Sequence, residues 1–292
     1  MGFFSKLFGS GESAATPGPN PEPFPGQDRE NGVTFMLLYS GIPQFSFPSL
    51  KKRLETAFGT GVQDISGMAD EEATLVQIRF GDDEVTVAGL YIPYPDSVLD
   101  TILPICHFAA ADKEKFRHSK AHILLSCKST APAPHVQYDR LYRIAGCLLA
   151  EDGGAIGIVN EAAMTAHPAP LIAKTAEERD RLYKEKAMPF MSWLLWTGGC
   201  VKYVLDDETI WFVTKGNHQF GLPELAFKGG PKEGNSTMET FNALFAYMYF
   251  YRARLLPGHT AEIGGLKLRF SALTEYEELF EGEYGTLVVA TM

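Results

Sequence analysis

Cysteine is scarce in this chain. The four cysteines are Cys106, Cys127, Cys147 and Cys200. Because they are about 20 or more residues apart and form no C-x-x-C pair, the spacing argues against a thiolate zinc site and against a thioredoxin-like motif. Three of them, all but Cys200, lie in apolar segments, where a free cysteine behaves as a small buried hydrophobe. We therefore expect reduced thiols and a cytoplasmic location.

Long apolar runs and an excess of basic residues are also missing. No stretch of about 18 uncharged apolar residues occurs, which argues against a membrane span. The N-terminus lacks the long apolar segment and small-residue cleavage site of a secretory signal. Lys and Arg number 26 against 36 Asp and Glu, so the net charge is −10. A nucleic acid partner is therefore not expected.

The common catalytic signatures are absent as well. No G-x-G-x-x-G or G-x-x-x-x-G-K-[ST] loop stands between a predicted strand and a helix, so P-loop nucleotide hydrolysis is excluded. The serines offer no G-x-S-x-G elbow, and no H-E-x-x-H is present. Covalent catalysis has little support in the sequence, and neither a metal nor a cofactor is expected.

What is present is the composition of a globular protein, with 45% hydrophobic and 21% charged residues, behind an unusual N-terminus. Residues 10–32 are rich in Gly, Pro, Ser and Glu and cannot bury enough apolar surface to become ordered. We interpret residues 1–32 as a disordered tag and linker. Four apolar residues in this tag could make a weak contact with a membrane surface or a partner: Phe3, Phe4, Leu7 and Phe8.

Short β-type runs interrupted by single helices predict an α+β fold with mostly antiparallel sheets and helices packed on one face. A strand, a proline-containing loop and a helix follow Val33, and the same order recurs after Ala121, which allows two related α/β units. We place an N-terminal α+β unit at residues 33–117 and a C-terminal α+β domain at 118–292. The charged run Ala173 to Lys186 is a second plausible boundary.

The densest group of special residues is Thr214 to Phe227, TKGNHQFGLPELAF. A carboxylate and an imidazole, Glu224 and His218, could share a proton or bind a cation there. The competing interpretation is a rigid elbow in which Glu224 accepts hydrogen bonds from exposed backbone amides. Candidate binding residues are Asn217, Phe220, Gly221, Pro223, Glu224 and Trp196.

This segment resembles the bacterial domain of unknown function 4261 family, through its G-x-x-x-F-G-L-P-E-L pattern from Gly216 to Leu225. A capped apolar helix and a hairpin containing glycines follow the pattern, so that the resemblance covers about Ala121 to Arg269. It implies a bacterial origin and a domain boundary. It implies no activity, substrate or catalytic residue, and it leaves Val33 to Ala110 without a role.

Other candidates are weaker. Of the seven histidines, the four that could converge only through the fold are His118, His122, His167 and His218. The glutamates between Glu275 and Glu283 predict a solvated face or an acidic surface that attracts a basic partner. Trp193 and Trp196 differ by three and point to opposite faces of a predicted strand, so one of them marks a candidate interaction surface.

Taken together, these features favour a non-catalytic cytoplasmic binding protein of the adaptor, accessory or toxin-neutralising type, acting through protein–protein contacts. The alternative is a hydrolase or small-molecule transferase that uses Glu224 and His218.

Overall fold

The computed structural model describes residues 32–70, 72–129, 134–173, 199–205 and 209–292. The folded chain divides into two compact units, Glu30–Glu185 and Lys186–Met292. Each unit is built on its own mostly antiparallel sheet with helices between the strands. The predicted α+β class is therefore confirmed.

The first unit contains a seven-stranded sheet in the order β2-β3-β4-β5-β1-β6-β7. The strands are β1 Val33–Tyr39, β2 Asp64–Ala69, β3 Thr74–Phe80, β4 Asp83–Leu90, β5 Ala121–Lys128, β6 Ala155–Asn160 and β7 Thr165–Pro168. The helices are α1 Phe47–Phe58, α2 Asp96–Ile102, α3 Ala110–Arg117 and α4 Pro134–Glu151.

Helices α1 and α4 cover one face of this sheet. The Ser46 hydroxyl caps α1 by accepting from the amide of Ser49, and Leu50 and Leu54 are buried four residues apart on one side of the helix. The Tyr142 ring of α4 lies 5.1 Å from Phe35 of β1. Arg53 of α1 pairs with Glu151 of α4 at 2.5 Å, which fixes the two helices side by side.

The opposite face is covered only in part. Residues of α2 and α3, among them Leu99 and Phe116, pack in one cluster with Leu38 of β1 and Val159 of β6. The sequence predicted helices on one face only, and the structure corrects this because α2 and α3 cover β1 and β6 from the other side. The outward side of β2, β3 and β4 carries exposed side chains on every strand.

The second unit contains a six-stranded sheet in the order β11-β12-β13-β10-β9-β8. Its strands are β8 Gly199–Val204, β9 Ile210–Lys215, β10 Glu224–Gly229, β11 Thr260–Ile263, β12 Leu266–Ala272 and β13 Thr286–Thr291. Only β10 and β13 run parallel. Helix α5 Gly234–Tyr249 contacts β9 and β11, while α6 Glu277–Phe280 packs Phe280 against Trp211, Val213 and Ala226.

The division of the chain differs from the predicted boundary at 117/118. Strand β5 pairs with β1 and with β4, so it belongs to the same sheet as the segment before residue 117. The observed division falls at Glu185, inside the charged run that the sequence also marks. The predicted tag and linker at 1–32 lie, apart from Gly32, outside the described residues, as do Trp193 and Trp196.

Candidate functional site

A short 3-10 turn, Asn217–Phe220, joins β9 to β10. The glycines on either side of it, Gly216 and Gly221, have φ values of 104° and 68°. Residues with a Cβ rarely adopt these left-handed conformations, so glycine is needed at both ends. The turn is closed by hydrogen bonds from the Gly221 amide to His218 O and from the Leu222 amide to Asn217 O, at 2.9 and 3.1 Å.

The Glu224 carboxylate fills the inside of this turn and is 1% exposed. Its Oε2 accepts from the Thr214 hydroxyl at 2.6 Å. Its Oε1 accepts from the Gly216 amide at 3.1 Å, from the His218 amide at 3.3 Å and from His218 Nδ1 at 3.1 Å. Donors therefore surround both carboxylate oxygens, as burial of such a group requires.

Thr214 connects the carboxylate to the backbone. Its Oγ1 accepts from the Leu225 amide at 2.8 Å and from Asn217 Nδ2 at 3.2 Å, so its single proton is directed to Glu224. Asn217 Nδ2 also donates to Pro223 O at 3.0 Å. The carboxylate, the hydroxyl and the amide thus form one buried network.

The segment before β13 closes the network from the other side. The Glu224 amide donates to Gly285 O at 3.0 Å. A Cβ at Gly282 would lie 2.6 Å from Glu224 Cγ, so this position has room only for glycine. Lys215 Nζ donates to Leu279 O at 3.3 Å. Burial lowers the pKa of Lys215, and the charge of Glu224 partly offsets this effect.

The structure brings most of the predicted binding residues together but buries them. Asn217, Phe220, Gly221, Pro223 and Glu224 are all inaccessible, and the Phe220 ring packs edge-on to Phe245 at 4.9 Å. Their burial leaves them no surface to offer a partner, so they serve to hold the turn. Trp196 lies outside the described residues.

Of the predicted site residues in the described ranges, only His218 reaches the surface, with 29% of its side chain exposed. The predicted pairing of His218 with Glu224 is confirmed by the Nδ1 contact. A carboxylate that binds Nδ1–H directs the Nε2 lone pair away from itself, which is the orientation used by a general base.

The other histidines do not form a shared site. In the strand register, His122 of β5 lies in the same row as Leu38 of β1. His167 of β7 lies in the neighbouring row, with Ile158 of β6 and Leu37 of β1. Adjacent rows of a sheet point to opposite faces, so the two imidazoles are separated by the sheet. His118 is bonded to Glu114 O at 2.9 Å. Within the described part of the chain, no three His, Cys, Asp or Glu side chains are placed to hold a metal.

Sequence reasoning missed a surface on the first unit, which we name the open face: the side chains of β2 to β5 that point away from α1 and α4. Three rows in register extend across all four strands, and a shorter fourth row, Leu90 and His122, joins only β4 and β5. The charged row is Asp64, Arg79, Glu84 and Lys128. The polar row is Ser66, Gln77, Thr86 and Ser126. The apolar row is Met68, Leu75, Ala88 and Leu124.

The apolar row is the unusual part of this face. Met68 and Leu75 face each other across β2 and β3 and are 49% and 50% exposed. A partial signal was present in the alternation of Thr74 to Phe80, which places Leu75 on the side of Gln77 and Arg79. Strand β2 gave no signal because only Ile65 and Ala69 of its six residues are buried.

The acidic segment has the exposure that the sequence predicted. All of its glutamates, Glu275, Glu277, Glu278, Glu281 and Glu283, are exposed around the buried Phe280. None of the helices in the described ranges combines the length and apolar character needed to cross a membrane.

Searches against protein-family models, curated proteins and solved structures found no match to this chain.

Proposed function

We propose that this chain is a bacterial cytoplasmic binding protein that works through protein–protein contacts, in an adaptor, accessory or toxin-neutralising role. The observation that supports this most directly is the apolar row of the open face. Two large apolar side chains in register, each about half exposed, make a continuous patch with the half-buried Ala88 and Leu124. Scattered apolar residues are ordinary on a surface, but contiguous ones mark contact sites.

The composition of the patch also fits a protein interface. An apolar row flanked by polar and charged rows has the core-and-rim arrangement of such contacts. Burying apolar surface contributes about 25 cal/mol per Å². The charged row adds selectivity more than affinity, since exposed charges repel a mismatched partner.

The Glu224 network supports a structural role over a catalytic one at the other candidate. Both oxygens of the carboxylate accept from donors of the chain itself, and the side chain is 1% exposed. A carboxylate closed in this way has no free face for a substrate.

The test is affinity capture with the full-length chain from a native bacterial lysate. We expect a partner at near-stoichiometric yield with the parent chain and its loss with the double variant M68K/L75K. The matched control is V204K, because Val204 is also an exposed apolar strand residue, 64% accessible, but lies in the second unit. Equal recovery with all three proteins would contradict the proposal, and so would the recovery of neither a foreign protein nor an untagged copy of the chain with any of them.

A second candidate function rests on the 3.1 Å contact between His218 Nδ1 and Glu224 Oε1. In this alternative, His218 Nε2 acts as general base in a hydrolase or transferase and Glu224 orients the ring. Turnover of an ester, amide or phosphoester that H218A abolishes, with an unchanged free energy of unfolding, would establish it. Activity that survives H218A would remove it.

A further inference from the structure

We infer that the partner of the open face is a second copy of this chain, packed face to face about a two-fold axis. The axis runs parallel to the strands and passes between β3 and β4. The inference rests on the proposed function, because it takes the open face to be a protein-binding surface and names its occupant.

The charged row shows why a second copy fits. Across the strands its order is Asp64, Arg79, Glu84, Lys128, which alternates from negative to positive. All four residues are exposed. A two-fold axis along the strands reverses the order of the strands but keeps each row at its own height. Asp64 then lies opposite Lys128 of the second copy, and Arg79 lies opposite Glu84 of the second copy.

The same rotation matches the other two rows. In the apolar row, Met68 lies opposite Leu124 of the second copy and Leu75 lies opposite Ala88 of the second copy. In the polar row, Gln77 lies opposite Thr86 of the second copy. A two-fold axis laid across the strands along the charged row would instead place Arg79 on Arg79. The order of residues in each row is thus complementary to itself under one two-fold rotation. An interface between two copies of the same chain requires this self-complementarity, whereas binding of an unrelated partner does not.

The layering of the first unit leaves space for this packing. Helices α2 and α3 cover β1 and β6 on this side of the sheet and stop short of β2, β3 and β4. Two packed sheets lie about 10 Å apart, and two packed helices have their axes about 8–10 Å apart, so a sheet and a layer of helices have similar thickness. The sheet of a second copy would therefore continue the layer that α2 and α3 begin.

The size of the face sets the expected affinity. Strands lie about 4.8 Å apart and rise about 3.4 Å per residue, so four strands of about seven residues offer a patch of roughly 450 Å². Two such patches lie at the small end of specific interfaces. We expect a dimer with a dissociation constant in the micromolar range.

The experiment is sedimentation velocity on the full-length chain from about 1 to 300 μM, with charge reversals at the central pair. R79E and E84R each bring like charges together twice in the dimer, so each should weaken dimerisation by about tenfold or more. The double variant R79E/E84R restores opposite charges across the interface, and its dissociation constant should return to within about threefold of the parent.

Two controls separate the interface from the monomer. K202E reverses an exposed strand lysine of the second unit and should leave dimerisation unchanged. Because Arg79 and Glu84 are also neighbours within one chain, urea unfolding at low concentration measures that internal contribution for every variant.

The outcomes are distinct. A parent chain that stays monomeric at all concentrations overturns the inference. If M68K/L75K then still abolishes the capture of a foreign protein, the open face is a protein-binding surface, and the proposed function holds although the dimer does not. A dimer that M68K/L75K and the single reversals leave intact also overturns the inference, because the contact then lies elsewhere. Failure of the double variant to recover excludes this two-fold register.

Discussion

The buried carboxylate of Glu224 is the single side chain on which the β9–β10 turn depends most. We expect E224Q to lower the free energy of unfolding by about 1–3 kcal/mol. The Thr214 hydroxyl already accepts two hydrogen bonds, so its proton has to be donated to the side chain at position 224. If the Gln amide nitrogen replaced Oε2, this hydroxyl proton would face another donor. If the Gln amide nitrogen replaced Oε1 instead, it would face three donors, and the hydrogen bonds that they now make to Oε1 would be lost.

Urea unfolding of E224Q measures this loss, and E278Q on the exposed surface of α6 is the matched control. An unfolding free energy equal to that of the parent would show that the network is not structural. Loss of an enzymatic activity at unchanged stability would favour the second candidate function.

A buried imidazole makes the first unit sensitive to acid. Burial lowers the pKa of His167 from 6.5 to about 4. The folded state therefore holds a neutral ring, while the unfolded chain binds a proton below about pH 6.5. Stability is complete above pH 6.5 and falls as the pH drops toward 4, by up to about 3 kcal/mol.

Urea unfolding at about pH 7 and at about pH 4.5 tests this dependence. Because the Gln amide of H167Q cannot take up a proton at either pH, the loss between the two pH values should shrink, and the amide is long enough to replace the contact of His167 Nε2 with Thr165. The exposed His118 provides the control H118Q, which should lose as much stability as the parent. The same loss in H167Q as in the parent would assign the acid sensitivity to other groups.

At the residue scale, the sequence predicts that His218 contacts Glu224, but it does not predict that the Glu224 carboxylate is buried. The six-residue spacing across a glycine-rich turn suffices to bring His218 to Glu224. Closure of the carboxylate depends on Gly282 and Gly285, which come from a segment about sixty residues further on in the chain and reach it only through the parallel β10–β13 pair. No local pattern records such a contact.

At the scale of elements, β2 is held to the sheet by a close backbone approach. Gly67 has a φ of 134°, and a Cβ there would lie 2.1 Å from Leu75 O. We expect G67A to cost about 1–3 kcal/mol, from strain and displaced backbone together. The loss should concentrate in β2 because it is an edge strand with one neighbour.

Hydrogen exchange of the β2 amides is the direct measurement. They should exchange faster in G67A, while the amides of β1 and β5 keep their protection. In G61A the new methyl group meets nothing within 4 Å, so this variant should match the parent. Equal protection of β2 in all three proteins would show that the strand accommodates the Cβ.

The periodicity of apolar residues predicts the strands and helices that are well buried, and it fails for those that pack against few other residues. Strands β1 and β3 lie on runs whose apolar residues alternate or follow one another, which is the pattern that predicts a strand. The apolar run Ser97 to Ala110 has the pattern of one helix, but α2 ends at Ile102, and a 3-10 turn that contains Pro104 separates it from α3. Ser236 and Glu239 have the spacing of a capping box, but α5 already begins at Gly234, so both residues lie inside the helix.

At the scale of the whole molecule, strand order determines what the sequence could not show. The recurring strand, loop and helix suggested that a domain begins near residue 118. In the structure the two strands of that pattern, β1 and β5, are antiparallel neighbours in one sheet. A repeat in sequence is therefore compatible with a single core, and only the pairing distinguishes the two arrangements.

The same topology predicts that the first unit folds by itself. All seven strands of its sheet, with α1 to α4, lie within Glu30–Glu185, and no strand pairs with the second sheet in the described residues. Its core includes side chains that are fully buried on both sides of β1, among them Leu37 and Leu38. We therefore expect a chain of residues 30–185 to unfold cooperatively in urea.

This fragment should also dimerise as the full chain does, because the open face belongs to it entirely. Circular dichroism and urea unfolding establish whether the fragment is folded, and sedimentation velocity then compares its dissociation constant with that of the full chain. R79E should weaken both to the same degree. A folded fragment that remains monomeric while the full chain dimerises would place the contact in the residues that the fragment lacks, 1–29 or 186–292, since an interface confined to β2–β5 loses nothing when they are removed.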